Sequence, residues 1–364
     1  MSDRAELSQA RRIVVKIGSS SLSSDTTLIP RLAAEISGLL GERRAVVVVS
    51  SGAIALGCDR LGYRTRPKEM GRLQAAAAAG QSALMRRYDE AFAQLNHQTA
   101  QVLLTHADLS SRERLNNARN AFSELIDAGA VPIVNENDTV STEEIKFGDN
   151  DQLAAMVVPL VGADALVLLT DVEGVLDEQG QRIPHFAKDQ TIGQITGSGP
   201  RVGTGGIHSK LDAAHKAARS GANVVIARAL RSGVLRELFA GDDVGTLVPR
   251  EVAPLRARQH WIAFTLRPSG ALLLDRGAVE AVRAGKSSLL PVGLTGVSGE
   301  FNAGDAVRLI GPDGVEVGRG LTRLNVLDAA RSAGKKGDDL DNLFGPHGRE
   351  VVVVHKDDLV VVGA

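Results

Sequence analysis

Val131 to Val158 reads VPIVNENDTVSTEEIKFGDNDQLAAMVV, and the order of residue types in it decides the fold. The β-branched run Val131, Ile133, Val134 stops at Asn135-Glu136-Asn137-Asp138. Such a run predicts a buried strand whose carboxyl end opens into a polar loop. In open α/β sheets ligands sit in the crevice beyond the carboxyl ends of the strands, so carboxylates and amides there are placed to meet one. A second cluster, Gly148-Asp149-Asn150-Asp151, leads into the apolar helix start Gln152-Leu153-Ala154-Ala155-Met156. An Asp or Asn at that junction is expected to cap the helix. Turn chemistry alone accounts for either cluster taken singly, because Asn, Asp and Gly dominate turns for conformational reasons. Two of them flanking Glu143-Glu144-Ile145-Lys146 point to a site.

Composition narrows the function classes. At 364 residues the chain exceeds what one hydrophobic core usually supports, so two domains are expected. A net charge of -1 gives no global attraction to nucleic acid or to an anionic membrane. Aromatic residues make up 3%, which argues against a dedicated stacking surface for single-stranded nucleic acid. The single cysteine, Cys58, excludes an intramolecular disulfide and suits a reducing compartment; it is expected as a small buried apolar residue. The polar start MSDRAELSQARR does not resemble a secretory signal. Leu153 to Ala163, the most continuous apolar stretch, holds a proline and is too short to span a bilayer. A cytoplasmic protein with no membrane partner is the expectation.

Outward from the opening stretch, the same pattern recurs. Arg12-Ile13-Val14-Val15-Lys16-Ile17 predicts a strand covered on both faces, with Gly18 and serines after it. A lysine inside such a strand is costly to bury unless it is paired or directed into a polar cleft; an edge strand with Lys16 in solvent is the alternative. Ala45 to Val49 runs into Ser50-Ser51-Gly52 and a helix, which makes Ser51 and Gly52 candidates for holding a carboxylate or phosphate, or Ser51 a simple cap. Helices are expected at Ile29 to Leu40, Leu73 to Leu95 with Gly80 as a weak point, and Ser111 to Ala128. Asp164 to Leu169 predicts a further strand ending at Thr170-Asp171. Strands alternating with helices imply a mostly parallel sheet with helices on both faces.

The second informative stretch is Gly197-Ser198-Gly199-Pro200-Arg201-Val202-Gly203-Thr204-Gly205-Gly206-Ile207-His208-Ser209-Lys210. A glycine-rich loop feeds a helix with Lys210 in its first turn, where the helix dipole opposes a cation unless an anion intervenes. A nucleotide phosphate is the obvious anion, although neither the Walker loop nor the dinucleotide fingerprint occurs. His208 is expected as a solvated loop residue. A strand at Asn223 to Ile226, a helix near Val234 to Phe239 and Gly245 to Val248 close the first domain. The proposed organisation is residues 1–250, a linker at 251–259, and a second domain at 260–364. There, short β-rich runs, a Gly-Pro-Asp-Gly turn at Gly311 to Gly314, one helix near Asn325 to Ser332 and a last strand at Val351 to Val354 predict a small mixed barrel. The polar, glycine-rich segment between Lys335 and Glu350 is expected to be mobile.

Lys16 with Gly18, Ser50-Ser51-Gly52-Ala53, the NEND and GDND clusters, Thr170-Asp171, and Gly203-Thr204-Gly205-Gly206 with Lys210 together resemble the amino acid kinase family. The double NEND and GDND signature resembles its glutamate-phosphorylating branch, and Gly285-Lys286-Ser287-Ser288-Leu289-Leu290-Pro291 resembles the opening of a PUA module. The resemblance implies a three-layer α/β/α sandwich followed by a PUA-like domain. It also implies transfer of the ATP γ-phosphoryl group to the side-chain carboxylate of L-glutamate, with Mg²⁺ carried mainly by the nucleotide and its protein ligands, if any, unassigned. By the same resemblance Lys16 and Lys210 contact the phosphates and Asp151 orients them. Ser51, Gly52, Asp138 and Asn150 would bind glutamate, with Asn135 and Asp149 close by. Gly18, Thr170, Asp171, Thr204, Gly205, Gly206, Ile207, His208 and Ser209 would border the nucleotide. Ile207-His208-Ser209 departs from the family pattern, which has Met, a small residue and Thr. Feedback inhibition by L-proline, a homodimer or homotetramer, and hand-off to glutamyl phosphate reductase are further implications. A kinase for another small acid or for a nucleoside monophosphate is the rival in class. RNA binding through Arg308, Arg319, Arg323, Arg331, Lys335 and Lys336 is the rival outside it.

Overall fold

The computed structural model describes residues 3–141, 149–177, 179–186, 206–285 and 287–362. The chain forms two compact units, Met1–Pro254 and Leu255–Ala364.

The first unit is built on β1 (Arg12–Ile17), β2 (Ala45–Ser50), β3 (Thr99–Leu104), β4 (Val131–Glu136), β5 (Ala165–Thr170), β6 (Asn223–Arg228) and β7 (Thr246–Val248). They lie in the order β3-β4-β2-β1-β5-β6-β7, and every neighbouring pair is parallel except β6 with β7. β1 is central, with β2 on one side and β5 on the other, so the winding diverges there and a crevice opens at the carboxyl ends of β1, β2 and β5.

Alternation along each strand divides the core into two layers. Ile13, Val15, Ile17, Val46 and Val48 face the layer with Leu32 and Ile36 of the Leu28–Gly41 helix and Leu84 and Phe92 of the Met70–Ala93 helix. Val14, Val47, Val49, Leu166 and Leu168 face the other, with Val157 of the Asp149–Val161 helix and Leu211 and Ala214 of the Ile207–Ala218 helix. Burial on both faces is why these strands read as unbroken apolar runs. Lys16 shares the parity of Val14, so it belongs to the layer of the Asp149–Val161 and Ile207–Ala218 helices. The edge-strand alternative falls, because Lys16 is on the central strand and 4% exposed.

Gly80 is a contact point and not a weak point. A Cβ there would lie 1.8 Å from the Ala53 carbonyl oxygen, and one at Gly57 would lie 1.7 Å from that of Ala76. The Ala53–Arg60 and Met70–Ala93 helices therefore pack backbone to backbone.

The second unit holds β8 (Gly270–Leu274), β9 (Leu294–Gly299), β10 (Ala306–Ile310), β11 (Glu316–Thr322) and β12 (Val354–Val361), in the order β12-β11-β10-β8-β9. β8 and β10 are parallel and the other pairs antiparallel, giving a mixed sheet over a core of Leu272, Val307, Leu309, Val353 and Val354. Three local expectations change. The last strand begins where it was expected to end, because Val353 and Val354 are held by Leu289 and pairing with β11 continues toward Val361. A helix at Arg276–Ala284, capped by Asp275, was not anticipated. Within the polar segment expected to be mobile, Asp338–Phe344 forms a helix whose Leu340 is buried and whose Asp341 pairs with Arg349.

Candidate active site

The crevice at the end of β1 contains two adjoining clusters. In the first, Lys16 Nζ lies 2.6 Å from Asp151 Oδ1 and Lys210 Nζ lies 2.8 Å from Asp151 Oδ2. Asp151 is fully buried, Lys16 is 4% exposed and Lys210 is 8% exposed. Three elements supply them. Lys16 comes from β1, Asp151 from the first turn of the Asp149–Val161 helix, and Lys210 from the first turn of the Ile207–Ala218 helix. The two helices are locked beside the ion pairs. Gln152 donates to Asp212 Oδ2 at 2.9 Å and accepts from Lys216 Nζ at 2.7 Å.

Burial lowers the Lys16 pKa, with Asp151 opposing and Lys210 reinforcing the shift. Burial alone would raise the Asp151 carboxyl, but the charges of Lys16 and Lys210 outweigh it and hold the group below its ordinary value. Asp151 thus holds two ammonium groups side by side in a buried place, where an anionic ligand can meet both. Gly18 follows β1 directly; a Cβ there would come within 3.7 Å of Lys16 Nζ.

The second cluster is made of amides and hydroxyls. Asn150 Nδ2 donates to the Ser50 carbonyl at 2.9 Å, to Ser51 Oγ at 2.8 Å and to Asn135 Oδ1 at 3.0 Å. Asn135, 3% exposed, donates in turn to Gln81 Oε1 at 2.9 Å, and Tyr88 donates its hydroxyl to Ser50 Oγ at 2.9 Å. Asn135 shares the parity of Val131 and Ile133, so it faces the Met70–Ala93 helix, whereas Asn150 comes from the opposite layer. The two helical layers thus meet beyond the strand ends, and the bond between residues 150 and 151 joins the amide cluster to the lysine cluster.

Neither Asn150 nor Asp151 caps its own helix; both side chains are spent on the site. Ser51 is likewise no cap. Gly52 occupies the cap position of the Ala53–Arg60 helix with φ +102°, a left-handed conformation that glycine adopts without strain. Asp138, buried two residues beyond β4, carries charge that acts on the half-buried Arg66. Thr170 ends β5 beside β1 and donates to Asp171 Oδ1 at 3.1 Å. Gly206, Ile207, His208 and Ser209 lead into Lys210, and His208 is an exposed residue of the helix, not of a loop. Thr204, Gly205 and residues 142–148 lie outside the described residues, as does the Asp149 side chain. Sequence reasoning missed Gln81, Tyr88 and Gln152; the polar spacing Gln81 to Tyr88 on one helix face was the only signal for the first two.

Among the described residues no three His, Cys, Asp or Glu side chains group as metal ligands, and no helix is long and apolar enough to cross a membrane. Cys58 is buried and unbridged.

Comparison with known proteins agrees with this architecture. The amino acid kinase family matches residues 11–228, and the PUA domain matches residues 270–344. A glutamate 5-kinase of Pseudomonas putida is 44% identical over 99% of this chain and 100% of its own length. One from Cupriavidus metallidurans is 44% identical over 98% of this chain and 99% of its own. Among solved structures, the N-acetylglutamate synthase of Neisseria gonorrhoeae superimposes with a TM-score of 0.52 at 18% identity, covering 69% of this chain and 62% of that one; at this identity the likeness concerns the fold alone.

Proposed function

Because the chain belongs to the amino acid kinase family, and its full-length relatives are glutamate 5-kinases, we propose that it transfers the γ-phosphoryl group of ATP to the side-chain carboxylate of L-glutamate, releasing L-glutamyl 5-phosphate and ADP at the start of proline synthesis. The observation that carries this reading is the adjacency of the two clusters. The buried Lys16-Asp151-Lys210 group lies one residue from the Asn150 amide cluster.

In this reading the lysines face the phosphates and the amides hold the acid. A glutamate carboxylate, with a pKa of about 4.3, is ionised near neutrality, so the nucleophile needs no general base. What remains is to align two anions and to neutralise charge on the phosphoryl oxygens. Lys16 and Lys210 supply that charge from fixed positions, since Asp151 holds both ammonium groups in place before the nucleotide arrives. Ser51, Gly52, Asn135, Asp138, Asn150 and Asp149 line the acid position. Gly18, Thr170, Asp171 and residues 204–209 line the nucleotide position. A divalent cation, Mg²⁺ in this reading, brings charge neutralisation with the nucleotide. Asp151 is already engaged by two lysines, and the cation would be held mainly by the nucleotide phosphates.

The reading extends to regulation and surroundings. L-Proline shares an α-carboxylate and an α-nitrogen with glutamate and acts as a feedback inhibitor over the same position. The enzyme works in the cytoplasm as a homo-oligomer and passes its labile acyl phosphate to glutamyl phosphate reductase. The domains divide the work, residues 1–250 binding both substrates and residues 260–364 lying outside the chemistry. The test is ADP release with Mg-ATP across L-glutamate, N-acetylglutamate, aspartate and UMP, with hydroxylamine present to trap an acyl phosphate. Turnover with glutamate and a hydroxamate product is expected; turnover only with another acceptor refutes the substrate assignment.

A further inference from the structure

The hydrogen bonds around Asn150 have a direction that can be followed residue by residue. Asn150 Nδ2 lies 2.9 Å from the Ser50 carbonyl oxygen, an atom that can only accept, so the amide group at that end is the NH₂. The same NH₂ meets Asn135 at 3.0 Å, so Asn135 must present its oxygen there and turn its own NH₂ toward Gln81. Gln81 answers with Oε1 at 2.9 Å. Its other terminal atom, Nε2, is buried and has no hydrogen-bond partner among the described residues. Burying an N–H without a partner is costly, yet the orientation is forced, because the reverse one would set two NH₂ groups against each other. Gly80 makes the reach possible. A Cβ at that position would strike the Ala53 carbonyl oxygen at 1.8 Å and push away the helix that carries Gln81.

We propose that Gln81 is a positioning residue for the acid substrate: it accepts the buried NH₂ of Asn135 at the far end of the amide chain that the Ser50 carbonyl orients, and so holds Asn135 Oδ1 against Asn150. The inference rests on the reading that Ser51, Asn135 and Asn150 hold that acid. It does not require Gln81 to touch the substrate. Without the acceptor the NH₂ of Asn135 is left buried and unpaired, so Asn135 is no longer held against Asn150, and Asn150 loses one of the bonds that aim it at Ser51. The lysine cluster keeps its own ion pairs, so nucleotide binding is untouched.

Two variants of the full chain separate this from a merely structural role. Gln81→Leu removes the acceptor at similar volume, while Gln81→Glu keeps the carbonyl acceptor and exchanges the unpartnered NH₂ for a carboxyl oxygen, a group that burial favours in its neutral, protonated form. Steady-state KM for the acid, KM for ATP, kcat and the thermal midpoint are measured for each. Gln81→Leu should raise KM for the acid about tenfold or more, a change of about 1.4 kcal/mol, with KM for ATP within about threefold of wild type. Gln81→Glu should bring KM for the acid back to within about threefold. An unchanged acid KM in Gln81→Leu, a parallel rise of both KM values, or a Gln81→Glu variant as impaired as Gln81→Leu overturns the proposal. Wild-type enzyme that turns over no acid refutes the underlying reading instead.

Discussion

Replacing Asp151 with asparagine removes one charge from a place where it holds two others. Lys16 Nζ at 2.6 Å and Lys210 Nζ at 2.8 Å lose their common counter-ion while both remain at most 8% exposed. Breaking a buried pair from one side costs about 3–5 kcal/mol, because the remaining charge is left desolvated. In a unit of this size about 2–4 °C accompanies each kcal/mol, so the Asp151→Asn midpoint should fall by roughly 6–20 °C. Lys16 limits the loss. Its pKa is already lowered by burial, and without Asp151 it can shed its proton. A lysine whose folded pKa lies below the unfolded value of about 10.4 binds fewer protons folded than unfolded in that window, so stability rises with pH across it. The variant's window extends further down, so its deficit at pH 9 should be smaller than at pH 7. In the wild type the lowered Asp151 carboxyl contributes stability that is present above about pH 3.9 and is lost as the pH falls through the folded pKa. Urea unfolding at pH 7 and pH 9, with kcat measured at low temperature on folded protein, checks both sides. Activity should fall about a hundredfold or more, since misplaced lysines no longer meet the phosphoryl charge. Asp151→Asn with wild-type stability at pH 7, or with a deficit that does not change by pH 9, refutes the reasoning.

Lys210→Ala should lower kcat by about 10²–10³ while shifting the urea midpoint less than Asp151→Asn does, because Asp151 keeps Lys16; an unchanged kcat removes Lys210 from the mechanism. Ser51→Ala deletes the hydroxyl that accepts from Asn150 at 2.8 Å, and acid KM should rise about fivefold for roughly 1 kcal/mol, with ATP KM steady in the same kinetics. Gly80→Ala, which in an open helix stabilises by up to about 1 kcal/mol, should here cost about 1–3 kcal/mol or more, since its Cβ would sit 1.8 Å from the Ala53 oxygen; a raised thermal midpoint would show the two helices free to part.

The residues that lie at strand ends were legible because their setting is local. An apolar β-branched run that stops at Asn135-Glu136-Asn137-Asp138, or at Ser50-Ser51-Gly52, announces a buried strand and a polar exit within a few residues. Parallel topology places all such exits on one edge. Lys16 was conspicuous for the same reason, as a charge inside an apolar run. The second unit was read less well. The Asp338–Phe344 helix draws on the Asp341–Arg349 pair, and β12 on pairing with β11, neither visible within its own stretch.

What the sequence by itself determined, then, was the alternating strands and helices, the candidate lysines, carboxylates and amides, and the resemblance that names their roles. Only the tertiary structure decided which of them touch. Asp151 takes both lysines because β1 and two helix starts converge on one carboxylate, although Lys210 lies 59 positions further along the chain than Asp151. Gln81 joins Asn135 because Gly80 lets two helices meet at backbone distance. Periodicity reports which face a side chain is on. Contact between distant elements depends on how those faces pack, and that is settled by the volume of residues such as Gly57 and Gly80, which carry no chemistry of their own.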